Sequence, residues 1–220
     1  MKNLNQQILN FRFEQNFKDQ DFYVSSSNEH SFNLLNSWPK WNKNFINLIG
    51  EKFSGKSHLI SIFLKKYNGI KIKSADINND FLQSIKVYEN IVVEDLTEKI
   101  DEKLLFTLIN IIDQDNKYLI VTSRVPIVEL KFNLNDLNSR SANFILSQIE
   151  KPGDDLIYAL ILKNLSDRQI SIDKKLIDFI IKRIDRTYSK ISDFIYKIDE
   201  ISLKRKKPID FKIIKDALED

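Results

Sequence analysis

Eight residues constrain this chain more than any others: Gly50-Glu51-Lys52-Phe53-Ser54-Gly55-Lys56-Ser57. They fit the pattern G-x-x-x-x-G-K-[ST], which works only as a loop between a strand and a helix. The flanks supply both. Asn44 to Ile49 is a short apolar run that reads as a buried strand ending at Gly50. Residues 56–67 set Leu59, Ile60, Phe63 and Leu64 at helical spacing. In that setting the glycines let backbone N–H groups of Gly50, Phe53, Ser54 and Gly55 curl round phosphate oxygens. Lys56 would reach the β- and γ-phosphates as a point charge, and the Ser57 hydroxyl would take a Mg²⁺ position. The positive end of the helix dipole adds to the attraction. The loop therefore predicts ADP or ATP with Mg²⁺ as the cofactor.

The rest of the first 150 residues supports such a loop. Residues 28–38 carry a helical pattern, with Phe32, Leu34 and Leu35 on one side. Ile70 to Ile72 is a short strand candidate. Ile91-Val92-Val93 is an apolar strand that runs into Glu94 and Asp95. Lys103 to Asp113 is amphipathic, and Tyr118 to Val121 is a further apolar strand. Strands separated by helices at this spacing predict an α/β fold with a parallel sheet. After Lys151-Pro152-Gly153 the pattern changes. Residues 154–166, 174–184, 188–203 and 209–218 all read as helices. The expected organisation is a tail (1–14), an α/β core (15–151) and a small all-α domain (152–220).

Phosphate-loop proteins hold Mg²⁺ with an acid at a neighbouring strand end, directly or through water. Glu94 would take that metal position, where Asp is the usual residue, and Asp95 would polarise a water. Thr122 and Ser123 end the next strand, either as simple termination or as groups that sense the γ-phosphate. Arg140 falls on an expected loop after the last core strand. There it is a surface arginine or, reaching towards a neighbour's nucleotide, an arginine finger.

Composition removes several alternatives. The chain has no cysteine, so disulfides and Cys-based metal sites are excluded, which suits a reducing, cytoplasmic setting. Its net charge of +3 is small for a domain that coats nucleic acid. No apolar run approaches the ~20 residues needed to span a membrane. Residues 1–13 lack the apolar core of a signal peptide. Hydrophobic residues make up 42%, enough to build a core. Lys204 to Lys207 is a basic run that reads as a solvated loop, His30 as a helix-surface residue, and Trp38 and Trp41 as core.

In this order the pieces resemble AAA+ ATPases, and more closely the DnaA and Hda family of bacterial replication initiators and regulators. Gly55-Lys56-Ser57-His58-Leu59 matches the family's G-K-S/T-H-L. Val24 to Asn28 resembles its segment near the adenine, and Ser37-Trp38-Pro39-Lys40-Trp41 a W-P-x-W stretch of Hda-like members. Leu134 to Arg140 resembles L-P-D-L-x-S-R, with Asn135 in place of Pro, and Leu203 to Phe211 the segment before the last lid helix. The resemblance runs from about residue 6 to 218. It implies an AAA+ core with a helical lid, and adds Val24, Asn28 and His58 to the nucleotide site. It also sets Ser189 where the lid usually presents an arginine, with Arg186 and Lys190 adjacent.

The resemblance implies partners as well. The initiator carries a DNA-binding domain after its lid, whereas this sequence stops at Asp220, a length that fits Hda. Gln6-Gln7-Ile8-Leu9-Asn10-Phe11 resembles a Q-x-x-L-x-F sliding-clamp motif, in which Leu9 and Phe11 fill a pocket and Gln6 bonds at its rim. The implied function is an Hda-like regulator that binds nucleotide and the sliding clamp and promotes hydrolysis of ATP on the initiator DnaA. DNA contact would then be indirect, through the clamp, and a homo-oligomer stays open. The alternatives are an autonomous AAA+ ATPase such as a helicase loader, or a clamp-tethered adaptor that needs no nucleotide.

Overall fold

In the computed structural model the chain is described over residues 22–219, so the clamp-like motif at Gln6, Leu9 and Phe11 lies outside the described residues. The first elements are α1 (Glu29–Asn36), β1 (Phe45–Ile49), α2 (Lys56–Lys66), β2 (Gly69–Lys73), α3 (Asn79–Ser84) and β3 (Asn90–Leu96). Next come α4 (Glu102–Gln114), β4 (Tyr118–Ser123), α5 (Asn135–Ser141) and β5 (Ile145–Gln148). The helices α6 (Asp154–Asp167), α7 (Lys174–Ile181), α8 (Tyr188–Arg205) and α9 (Phe211–Glu219) complete the described residues.

The five strands form one sheet in the order β2-β3-β4-β1-β5, and every pairing is parallel. Apolar runs such as Ile91-Val92-Val93 suit a sheet covered on both faces. On one face α4 packs Leu105, Leu108, Ile109 and Ile112, a helical stripe, against Ile91, Val93, Leu119 and Val121. On the other, Leu59, Ile60 and Phe63 of α2 cover Ile46, Leu48, Val92 and Ile120. Trp41 stacks on Phe63 with ring centroids 5.8 Å apart and is core, and the partly buried Trp38 packs against the same cluster. The helical domain builds its own core from residues such as Ile161, Ile177, Ile180, Phe194 and Ile198.

Three features differ from the sequence expectation. A fifth strand, β5, lies beyond Val121 and pairs with β1. It is only four residues long and half polar, and it takes its place from pairing rather than from an apolar run. Helices α3 and α5, with six and seven residues, are too short for periodicity to reveal. Arg140 is consequently not on a loop after the last strand. It occupies the last turn of α5, and β5 follows it.

A polar side chain holds the centre of the sheet. Asn47, in the middle of β1, is fully buried. Its Nδ2 donates to Val121 O at 3.2 Å and to Ser123 Oγ at 2.8 Å, and its Oδ1 accepts from Ile127 N at 2.7 Å. It thus ties β1 to β4 and to the segment that leaves β4. Replacement of Asn47 by Leu strands these buried partners. It is expected to destabilise the fold by about 3 kcal/mol, measured by urea denaturation. A change below about 0.5 kcal/mol, the range of ordinary surface substitutions, would contradict this role.

Candidate functional site

The phosphate loop leaves β1 at Ile49 and enters α2 at Lys56. Gly50 N donates to Ser123 O at 3.1 Å, which seats the loop on the end of β4. A Cβ at Gly50 would come within 2.6 Å of Ser54 Oγ and 3.3 Å of Ile149 Cβ, so the close turn favours glycine. Phe53 and Gly55 both have positive φ, 68° and 93°. Left-handed residues within a turn aim successive N–H groups to one side, the arrangement that binds anions. Lys56 is 8% exposed. Its Nζ donates to Gly50 O and to Glu51 O, both at 2.7 Å. Burial holds its pKa below the ordinary lysine value, with Asp95 the largest opposing influence.

Next to β4, strand β3 ends in a bulge. Val93 pairs with Val121 but Leu96 pairs with Ser123, so β3 has an extra residue at Glu94 and Asp95. Asp95 takes φ 57°, its N–H donates to Thr122 Oγ1 at 3.0 Å, and its O accepts from Ser74 Oγ at 2.7 Å. The bulge turns Asp95 into the cleft, where it is exposed. Glu94 is held back: it is 8% exposed, and its Oε2 lies 3.3 Å from Lys71 Nζ. Ser123 is also drawn in, with its hydroxyl engaged by Val125 O at 2.6 Å and by Asn47. Among the residues that line the cleft are Asp95 and Arg124, with neither Glu94 nor Ser123.

The cleft has a volume of about 1330 Å³, and the sheet's strand ends and the helical domain form its walls. Ligands of open α/β sheets bind at these strand ends, where the strand order reverses. Here β1 sits between β4 and β5, and the chain leaves β1 for the far edge strand β2. Val24, Asn28 and His58 line one end together with Phe22, whose ring meets His58 edge-on at 5.3 Å. The amide of Asn28 is engaged at both ends, with Oδ1 accepting from Ser25 N at 2.9 Å and Nδ2 donating to Tyr23 O at 3.0 Å. Asn28 therefore shapes the 23–28 turn. Ser57 and Gly55 line the phosphate end.

The helical domain closes over the loop through Tyr188. Its backbone N–H, in the first turn of α8, donates to Glu51 Oε2 at 3.2 Å. Its hydroxyl donates to Glu150 O at 3.0 Å, and burial raises its pKa. A carboxylate at a helix N-terminus is favoured by the helix dipole. The α8 residues that line the cleft are Tyr188, Ile191, Ser192 and Ile195, and none is cationic. Neither Ser189 nor Lys190 lines it, and Arg186 is paired with Asp154 at 2.7 Å.

Arg140 lies apart from this cleft. Its guanidinium donates to Asp113 Oδ2 at 2.7 Å, linking α5 to the end of α4. Lys204 and Arg205 of the basic run belong to the last turn of α8 and pair with Glu200 and Asp216. Arg124, Glu51 and Tyr188 escaped the sequence reading. Arg124 is signalled only by its place one residue after Ser123. Glu51 and Tyr188 are 137 positions apart, and no local pattern joins them.

The residues present fit a bound nucleotide. Ser54 Oγ in the loop and Glu94 Oε1 at the strand end are buried without a hydrogen-bond partner. The left-handed turn and the buried lysine suit phosphate, and the apolar end with Phe22 and Val24 suits a base. The described residues hold no group of three or more His, Asp or Glu that would bind a metal by itself. Mg²⁺ held by one hydroxyl, phosphates and water needs no such group. No helix of the described residues is long and apolar enough to cross a membrane.

No protein-family model matches the chain. It is similar to the chromosomal replication initiator protein DnaA of Borreliella afzelii, with 23% identity over 206 residues, 81% of this chain and 42% of that protein. DnaA of Leifsonia xyli is 20% identical over 196 residues, covering 79% and 41%. The chain thus spans about two-fifths of the length of these curated relatives. Domain III of the Thermotoga maritima replication initiation protein DnaA superposes with a TM-score of 0.73 at 17% identity, over 94% of this chain and 97% of that one. AMPPCP-bound DnaA from Aquifex aeolicus gives 0.67 at 20% identity, over 85% and 67%. The Thermotoga maritima RuvB Holliday junction branch migration motor gives 0.61 at 14% identity, over 80% and 61%. The chain therefore has the fold of DnaA domain III, an α/β core with a five-stranded parallel sheet followed by a helical domain.

Proposed function

We propose that this chain binds ADP or ATP with Mg²⁺ in the cleft and acts in the cytoplasm in the control of DNA replication. The observation that carries the reading is the joining, in one cleft, of the left-handed phosphate loop, buried Lys56 and bulged Asp95. The N–H groups of the loop and the Lys56 ammonium bind the phosphates. The apolar end, with Phe22, Val24 and His58, takes the base. Ser57 would hold Mg²⁺, with Glu94 Oε1 an unpartnered buried acceptor at the end of β3, and the ion would supply charge neutralisation on the phosphates. DnaA of Aquifex aeolicus, which has the same fold, has been solved with AMPPCP bound.

The finer reading is an Hda-like regulator. An arginine that serves a partner's nucleotide has to stand outside its own cleft, and Arg140 does. It sits at the end of α5, its side chain 34% exposed, and its bond to the 54% exposed Asp113 is a surface pair of small net energy. Glu102 carries the other end of this helix. Its carboxylate accepts from Asn133 N, Asn133 Nδ2 and Leu134 N, each at 2.9 Å, and these bonds hold its pKa below the usual range. Helix α4 thus supports α5 at both ends and presents Arg140 to solvent. Released to an initiator's ATP, the guanidinium would stabilise charge that develops as the γ-phosphate leaves. Gln6, Leu9 and Phe11 would tether the chain to the sliding clamp. The relation to DnaA in sequence supports initiator control as the setting.

A second reading is an autonomous AAA+ ATPase, favoured by Asp95, whose carboxylate stands in the chain's own cleft. One experiment separates the two. ATP hydrolysis is measured for the initiator with clamp, DNA and this chain, and for this chain alone. The regulator reading predicts that Arg140→Ala lowers the stimulated rate on the order of a hundredfold or more. Full stimulation by Arg140→Ala rejects the finger. Turnover by this chain alone, lost in Lys56→Ala, favours the second reading.

A further inference from the structure

We propose that Glu51 is a positioning residue: its carboxylate fixes the pose of the helical domain over the phosphate loop, so that the cleft is shaped before a ligand enters it. The covalent link between the core and this domain is the single stretch Lys151-Pro152-Gly153, and a Cβ at Gly153 would meet nothing within 4 Å. Packing at the link is too sparse to fix an angle, so contacts elsewhere have to. Apolar burial supplies some of them, since Leu156 of α6 and Tyr188 of α8 belong to a cluster of the α/β core. Such burial is not directional. Direction comes from Tyr188, which is held at both of its polar groups. Its hydroxyl donates to Glu150 O at 3.0 Å, and its N–H donates to Glu51 Oε2 at 3.2 Å.

The start of α8 explains why a carboxylate goes there. The first N–H groups of a helix have no partner within it. In α8, Thr187 Oγ1 takes Lys190 N at 3.3 Å, and Glu51 takes Tyr188 N. An ionised acceptor makes this bond stronger than a neutral one, and the positive end of the helix dipole adds to it. The loop gains as well. Glu51 is an acid within a phosphate-binding turn, where its charge would repel the ligand. Turned to α8, it does not line the cleft, whereas residues 52–57 of the loop do. The backbone of the same residue is tied down by Lys56, whose Nζ bonds Glu51 O at 2.7 Å. Glu51 is thus fixed on the loop side and grips the helix on the other. What it holds in place is a wall of the cleft: α8 brings Ile191, Ser192 and Ile195 there, and α6 brings Lys163.

The test is the distance between two spin labels in the full chain, which has no cysteine of its own. Labels go on Gln83→Cys of α3 and Lys212→Cys of α9, both exposed positions. Without nucleotide, the labelled parent is expected to give one narrow distance. Glu51→Ala is expected to give a distribution that is broader or shifted by more than about 2 Å. Glu51→Gln, which keeps the shape and an acceptor oxygen, should recover the parent distance at least in part. ADP with Mg²⁺ should leave the parent unchanged. A broad distribution in the parent, or the same distribution in Glu51→Ala, overturns the inference. A shift of the parent by more than about 2 Å when ADP binds also overturns it. So does loss of helical circular dichroism in Glu51→Ala, which would make Glu51 a group needed for folding. The ADP arm rests on the reading of the cleft as a nucleotide site. If ADP fails to bind, that reading falls, while the nucleotide-free comparison still decides the role of Glu51.

Discussion

Parallel pairing of β1 between β4 and β5 is the constraint on which the rest depends. It sets the end of β1 beside the end of β4, register Ile49 to Ser123, and allows Gly50 N to close on Ser123 O. Without that contact the loop has no fixed origin. With it, three strand ends deliver a backbone anion nest, an arginine and a carboxylate to one cleft. The seam is held from within by Asn47, a buried amide satisfied on both sides. A buried polar group so satisfied specifies one register, since a slipped strand would strand its partners.

The loop also reaches the helical domain. Lys56 Nζ bonds Glu51 O, and Glu51 Oε2 accepts the first N–H of α8 through Tyr188. The chain of contacts runs from the phosphate-binding lysine to a helix that starts 137 positions after Glu51. The helix dipole favours that carboxylate, so the domain is attached at the point where phosphate would bind. The sequence places Ser189 where an arginine is usual in the resembling family. In the structure no cation of α8 lines the cleft, whereas Lys163 of α6 and Arg124 at the end of β4 do.

Much of the fold is legible in the sequence because burial on both sheet faces leaves long apolar runs. Ile91 to Val93 and Tyr118 to Val121 announce strands, and Leu105, Leu108, Ile109 and Ile112 announce a helix. Strand β5 is not legible: it is short, half polar, and specified by its partner β1. The phosphate loop is legible because its glycines answer local needs: the left-handed φ of Gly55 demands one, and the close approach to Ser54 Oγ favours one at Gly50. The strand-end acids are legible as a pair, but not which of them enters the cleft. A one-residue bulge decides that, turning Asp95 in and leaving Glu94 with Lys71. Ser123 reads as a phosphate sensor by position, yet Asn47 draws its hydroxyl into the sheet. Contacts between distant segments, such as Glu51 with Tyr188 and Arg140 with Asp113, leave no local trace.

Direct calorimetry of the purified chain with Mg²⁺ and ADP bears on the central claim most closely. A single saturable binding event, abolished in Lys56→Ala while that variant keeps its helical circular dichroism, is the expected result. No heat of association with either ADP or ATP, from protein shown to be folded, would contradict the assignment of the cleft.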